Sequence, residues 1–231
     1  MPLDALKAQV LKANLATVRH GLVTATFGNA SGIDRGSGLI AIKASGVPYD
    51  QMTTEHMVLC DLDGRPHDNR LNPSSDLETH LVLYRAFSGI GAVIHTHSTF
   101  ATIMAQVRRP IIPLGTTHAD YFHGEIPVTR QLTPPEIRNR YVEATGKVIV
   151  EAFEGRDPLE VPAVLVAGHG PFVWGRTPDE AVLNAVILEE VAKMAWHAQA
   201  LVPATEPISQ TLLDRHYKRK HGAEATYGQK P

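Results

Sequence analysis

Residues 75–98 read SDLETHLVLYRAFSGIGAVIHTHS, and two periodicities meet inside them. In the first half Leu77, Leu81 and Tyr84 form one apolar stripe at helical spacing, and Ser75 with Glu78 has the spacing of a capping box. The second half, 91–97, is a short apolar run opened by Gly91, and it reads as a strand feeding a site. Working upstream, Leu3, Leu6 and Val10, backed by Leu11, Leu15 and Val18, mark an N-terminal helix that Gly21 is placed to cap. Residues 22–27 and 39–42 read as short strands, each closed by a turn containing glycine. Downstream, 163–167 is a further strand. Thr177-Pro178-Asp179-Glu180 then opens a helix with Thr as N-cap, Pro at N1 and Glu at N3. A last helix over 209–221 carries Lys218, Arg219 and Lys220 in its final turns and stops at Gly222. Strands and helices interleave, which predicts an α/β layered fold.

No repeat or long linker divides the 231 residues, so one domain spanning 1–231 is expected. A hydrophobic fraction of 43% excludes intrinsic disorder, and a lone Cys60 excludes a disulfide framework. Charge is nearly balanced, 22 Lys+Arg against 24 Asp+Glu, which lacks the basic excess of a nucleic-acid binder. Apolar stretches such as 161–167 fall short of the roughly 20 residues a membrane span requires. The N-terminus has no signal-peptide core, so a soluble cytoplasmic protein is expected. The unusual count is 12 His, the side chain that binds metals and moves protons near neutral pH.

His95 and His97 are two apart on the expected strand, hence on one face with Cα atoms about 6.5–7 Å apart. His169 lies between Gly168 and Gly170 just past a strand end, and Asp76 offers a carboxylate in the first turn of a helix. Three imidazoles and one oxygen donor suit Zn²⁺, with Mn²⁺ or Co²⁺ as alternatives. A lone H-x-H is common, however, and His80, one turn after Asp76, reads as a supporting or structural residue. Three turns rich in small residues, 28–31, 43–46 and 73–75, offer free N–H groups and hydroxyls. Lys43 adds a full charge, and Ser74 and Ser75 sit at a helix N-terminus that favours anions. If they converge, they form a cradle for a phosphate monoester. Neither a Walker A element nor G-x-G-x-x-G is present, which disfavours nucleotide or nicotinamide chemistry.

Eight motifs then occur in order: T-F-G-N-A-S (26–31), K-A-S-G (43–46), P-S-S-D (73–76), H-T-H-S (95–98), G-T-T-H-A-D-Y-F (115–122), G-H-G-P-F (168–172), H-Y-K-R-K-H-G (216–222) and T-Y-G-Q (226–229). Together they resemble the L-ribulose-5-phosphate 4-epimerase family of the class II aldolase/epimerase superfamily, over essentially the whole chain. The resemblance implies a single layered domain with a mostly antiparallel central sheet flanked by helices. It implies Zn²⁺ held by Asp76, His95, His97 and His169. Contacts to a phosphorylated pentulose would come from Gly28, Asn29, Lys43, Ser45, Gly46, Ser74 and Ser75, with Thr116 nearby. It implies Asp120 and Tyr227 as the acid/base pair, reaching the metal with His216 and Arg219 from an adjacent subunit of a homotetramer. The C-terminal segment 209–231 would thus contribute to the active site. Two departures stand out. Ala44 replaces a proline often seen in relatives, and Val142, beside Glu143, stands where some relatives carry Glu.

The implied reaction converts L-ribulose 5-phosphate to D-xylulose 5-phosphate. C4 is not adjacent to the C2 ketone, so its C–H bond is not acidified and direct proton removal is unpromising. Breaking and remaking the C3–C4 bond, a retro-aldol route, remains, and a Lewis acid could hold the enediolate it creates. The aldehyde fragment turns over between cleavage and re-addition, which calls for proton-handling groups on two sides. A class II aldolase acting on a ketose phosphate ranks behind this, because such relatives carry Glu where Asp76 stands. A non-catalytic scaffold of the same fold, as in the adducin head, ranks last, because this chain keeps three histidines and the carboxylate.

Overall fold

The computed structural model describes residues 2–67, 70–221 and 225–226. Among them, six strands form one sheet: β1 (Asn29–Asp34), β2 (Leu39–Lys43), β3 (Met57–Asp61), β4 (Ala92–His95), β5 (Ala163–Leu165) and β6 (Pro171–Gly175). The spatial order is β3-β2-β1-β4-β6-β5, and every neighbouring pair is antiparallel, as the resemblance implied.

Helices cover both faces. On β1, Gly32 faces α1 (Leu3–Arg19): a Cβ there would lie 2.9 Å from the Val10 side chain. Ser31 points the opposite way, 2.7 Å from His80 and from Tyr84 of α2 (Leu77–Ala86). Strand alternation therefore puts α1 and α2 on opposite sides. The long helix α6 (Pro178–Leu201) lies beside α1, and Asn184 on it donates to Trp174 O of β6. On the other side α5 (Pro134–Ala152) packs on α2 closely enough that Gly146 abuts Val82. Phe87 and Phe153, just past the ends of those two helices, close on buried Trp174 with ring centroids 5.3 and 5.0 Å away.

Several sequence expectations match these elements. Arg19 ends α1, with Gly21 at φ +68 two residues on. Thr177 caps α6 by accepting from Glu180 N, with Pro178 at N1. The last helix, α7 (Gln210–His221), begins one residue after Ser209; Gly222 lies outside the described residues.

Three expectations are corrected. Residues 22–27 form no strand. Ala25 at φ 53 and Gly28 at φ +78 turn the chain twice, sending Leu22 into the core and Phe27 outward, and β1 starts only at Asn29. That also removes 28–31 from the set of turns. Asn14 of α1 secures the strand by accepting from Ala30 N and donating to Ala30 O. The Ser75–Glu78 capping box does not form: α2 begins at Leu77 with Asp76 as N-cap, and Glu78 pairs with Arg85 instead. Finally, β4 ends at His95, because Thr96 and His97 leave the sheet toward α3 (Thr99–Gln106).

Candidate active site

One cleft of about 390 Å³ is lined by Thr26, Phe27, Gly28, Asn29, Lys43, Ser45, Gly46, Ser74, Ser75, Asp76, His95, His97 and His169. It opens where the ends of β1, β2 and β4 meet the start of α2. The turn after β2 and the stretch before α2 are laced together: Ser74 N donates to Lys43 O and Ser45 N to Asn72 O. Lys43 is only 3% exposed, and its ammonium lies over the Tyr49 ring and 3.4 Å from Ala44 O. Burial lowers its pKa. A desolvated ammonium beside Ser45, Gly46, Ser74 and Ser75 favours an anion.

The three histidines converge although His97 lies beyond the strand. One ring nitrogen from each lies within 4.8 Å of the other two. Glycines make this approach feasible. A Cβ on Gly170 would sit 2.8 Å from Thr96 O, and one on Gly28 2.8 Å from His95 O. His95 Nδ1 donates to Pro171 O at 2.9 Å, which leaves Nε2 as a lone-pair donor 3.1 Å from His97 Nε2. Burial pushes the His95 pKa well down, so its imidazole is neutral and available for ligation. These are the donors a divalent cation takes. The three histidines could therefore hold a metal ion.

Asp76 borders the same cleft, but its carboxylate lies outside the tight cluster of three. Its Oδ2 accepts from Asn29 Nδ2 at 2.7 Å. Burial alone would raise its pKa; the nearby His95 and His80 and the Asn29 bond bring the net shift downward. Thr26, Phe27 and Tyr141 were not singled out as site residues from the sequence. Phe27, 55% exposed, stands beside the His97 ring, and the α5 helix breaks at Arg140 so that Tyr141 brings its hydroxyl within 3.3 Å of His169 Nδ1. Phe27 lay within a quoted motif, whereas Tyr141 carried no local signal.

The remaining candidates form a second group. Asp120, at the end of α4 (Thr116–Ala119), receives Arg219 Nη2 at 3.1 Å and faces His216 Nδ1 at 3.0 Å, both from α7. Burial would raise the Asp120 pKa, but those bonds hold it below the ordinary carboxylate value. His221 Nε2 donates to Asp120 O. Thr116 is exposed at the start of α4. None of these five lines the histidine cleft of its own chain. Tyr227 lies outside the described residues.

Residues 8–196 match the Class II Aldolase and Adducin N-terminal domain family. The chain is 50% identical over 228 residues to the L-ribulose-5-phosphate 4-epimerase UlaF of Salmonella paratyphi B, covering 99% of this chain and 100% of that one. The same identity and coverage hold for the protein of that name from Salmonella typhi. Among solved structures, an L-fuculose 1-phosphate aldolase superposes with a TM-score of 0.79 at 24% identity, over 93% of this chain and 95% of that one. The L-fuculose-1-phosphate aldolase of Thermus thermophilus gives 0.68 at 23% identity, over 87% and 98%. The chain belongs to the class II aldolase and adducin family, in the branch of the L-ribulose-5-phosphate 4-epimerases.

Proposed function

We propose that this chain is a cytoplasmic L-ribulose-5-phosphate 4-epimerase, interconverting L-ribulose 5-phosphate and D-xylulose 5-phosphate by cleaving and re-forming the C3–C4 bond. One observation carries the reading: a single cleft holds the three converging histidines together with buried Lys43 and the Ser45, Gly46, Ser74 and Ser75 turns. The 50% identity, over nearly the full length, to proteins of that name supports the same conclusion independently.

His95, His97 and His169, with Asp76, are the residues that would hold Zn²⁺, and Mn²⁺ or Co²⁺ fits the same donors. The cation supplies Lewis acidity for negative charge developing on substrate oxygens. Lys43 and the serine turns grip the phosphate, which keeps the two-carbon aldehyde fragment in place while it presents its other face. Gly28 and Asn29 form the wall beside the histidines, and Phe27 narrows its mouth against water. Asp120, ionised at neutral pH and steadied by His216 and Arg219, accepts the C4 hydroxyl proton on one side. Tyr227 serves the other. Because the Asp120 group is built on α4 and α7, away from its own chain's cleft, it works in the cleft of a neighbouring subunit of a homotetramer, with Thr116 beside it.

The direct test is conversion of L-ribulose 5-phosphate to D-xylulose 5-phosphate with and without a chelator. Turnover that stops on chelation and returns with Zn²⁺ is expected. Stoichiometric free aldehyde in a trapping assay would make the chain an aldolase instead.

A further inference from the structure

Helix α2 and the residue that caps it carry a polar stripe into an otherwise apolar interface. Asp76, His80 and Tyr84 recur every four residues and so share one face. The strand opposite, β1, offers Asn29 and Ser31, two apart and also on one face. The two sets pair rung by rung. Asn29 Nδ2 donates to Asp76 Oδ2 at 2.7 Å, and Ser31 Oγ lies 2.7 Å from both His80 Nδ1 and Tyr84 OH. Ser31, His80 and Tyr84 are all fully enclosed.

The two 2.7 Å contacts admit a relay that runs from Tyr84 through Ser31 to His80. In that relay the Tyr84 hydroxyl donates to Ser31 Oγ. The Ser31 proton then goes to His80 Nδ1, and the imidazole proton is left on Nε2. His80 Nε2 is buried and has no hydrogen-bond partner among the described residues. Its helix joins it to Asp76, whose carbonyl accepts the His80 backbone N–H at 3.2 Å. A buried polar network with one unpaired donor is costly, and completing it is correspondingly favourable.

We propose that His80 is a positioning residue for Asp76. When a divalent cation joins the three histidines and Asp76 turns one carboxylate oxygen toward it, the His80 Nε2–H holds the other oxygen beside the Asn29 amide. Ser31 and Tyr84 act through His80 by fixing which ring nitrogen carries the proton. The inference rests on Asp76 being a metal donor, as read above, and adds what holds that donor in place.

The test is Zn²⁺ affinity by competition with a chromophoric chelator, read together with the visible spectrum of the Co²⁺-loaded protein. That spectrum reports ligand geometry, which a purely structural role for His80 would leave unchanged. His80→Phe keeps the ring volume and removes the donor; it is expected to weaken Zn²⁺ binding about 10–100-fold and to shift the Co²⁺ bands. His80→Gln returns an N–H near the Nε2 position and is expected to restore affinity to within about threefold of wild type. Wild-type affinity and an unshifted spectrum in His80→Phe overturn the proposal. Should that variant fail to fold, Ser31→Ala keeps the imidazole but frees its tautomer, and a loss of about 3–10-fold is expected; no loss overturns the proposal equally. His97→Ala is the control for the underlying reading. If it binds Zn²⁺ as tightly as wild type, the metal site itself is wrong and the role of His80 falls with it.

Discussion

Lys43 brings a full charge to a place with little water, and no carboxylate among the described residues is bound to it. Burial lowers its pKa, so the unfolded chain keeps that proton to higher pH than the folded chain does. Stability accordingly rises with pH between the depressed folded value and the ordinary lysine value, and below that window the whole desolvation penalty is present. Lys43→Met should therefore raise the melting temperature of the ligand-free protein at pH 7 by about 2–4 °C, the equivalent of roughly 1 kcal/mol in a chain of this size. Calorimetry with inorganic phosphate completes the test: phosphate should stabilise wild type and leave the variant unmoved. A variant that melts lower would mean that the ammonium has a stabilising partner. Gly170 offers a second residue-scale test. Its missing Cβ lets the chain pass Thr96 O, and Gly170→Ala would push the segments bearing His97 and His169 apart. Turnover should fall by about 10²-fold with the far-ultraviolet spectrum intact.

At the scale of elements, α3 starts two residues after His97, and its first turn is held by a remote carboxylate rather than by its own cap. Glu189 of α6 accepts from Phe100 N and Ala101 N at 2.8 and 3.0 Å, while the Ser98 side chain makes no capping bond. Glu189→Ala leaves two N–H groups at a helix start unpaired and should cost about 1–3 kcal/mol in urea unfolding. Glu189→Gln, which keeps an acceptor, should lose less, and equal losses would point to packing instead. The same pair of elements explains what was legible beforehand. The caps of α1 and α6 and the apolar stripe of α2 are local signals, written in Gly21, Thr177 and Leu81, and the elements stand where those signals put them. Strand β1 was not legible. Asn29, Ala30, Ser31 and Gly32 have poor strand propensity, and they form a strand because β2 and β4 flank them and Asn14 binds Ala30 from the helix above. Conversely 22–27, rich in apolar and β-favouring residues, yields to a left-handed Ala25. The histidine cluster was legible in composition but not in mechanism: His97 reaches His95 by leaving the strand, and not by sharing its face.

The whole molecule divides its candidate machinery. The histidine and phosphate residues line one cleft, whereas Asp120, His216 and Arg219 bind one another on α4 and α7. The end of α6 also leaves Met194, Trp196, Leu201 and Val202 exposed, a run of apolar side chains that favours association. Such a pairing was beyond local reading, because periodicity on α6 marks apolar positions without saying which face meets its own core and which meets another chain. If each working site takes its histidines from one subunit and Asp120 from the next, two different inactive variants must complement. His97→Ala and Asp120→Asn each remove one half. Co-refolded in equal amounts into random oligomers, they should rebuild complete sites at about one interface in four, giving roughly a quarter of wild-type activity. Each variant alone should stay inactive, and Asp120→Asn should keep its full metal content, since it alters a proton acceptor and no histidine. Mass spectrometry must first establish that hybrid oligomers form. Given those hybrids, an absence of recovered turnover would place both halves of the site in one chain and require α7 to move toward the cleft it now stands apart from.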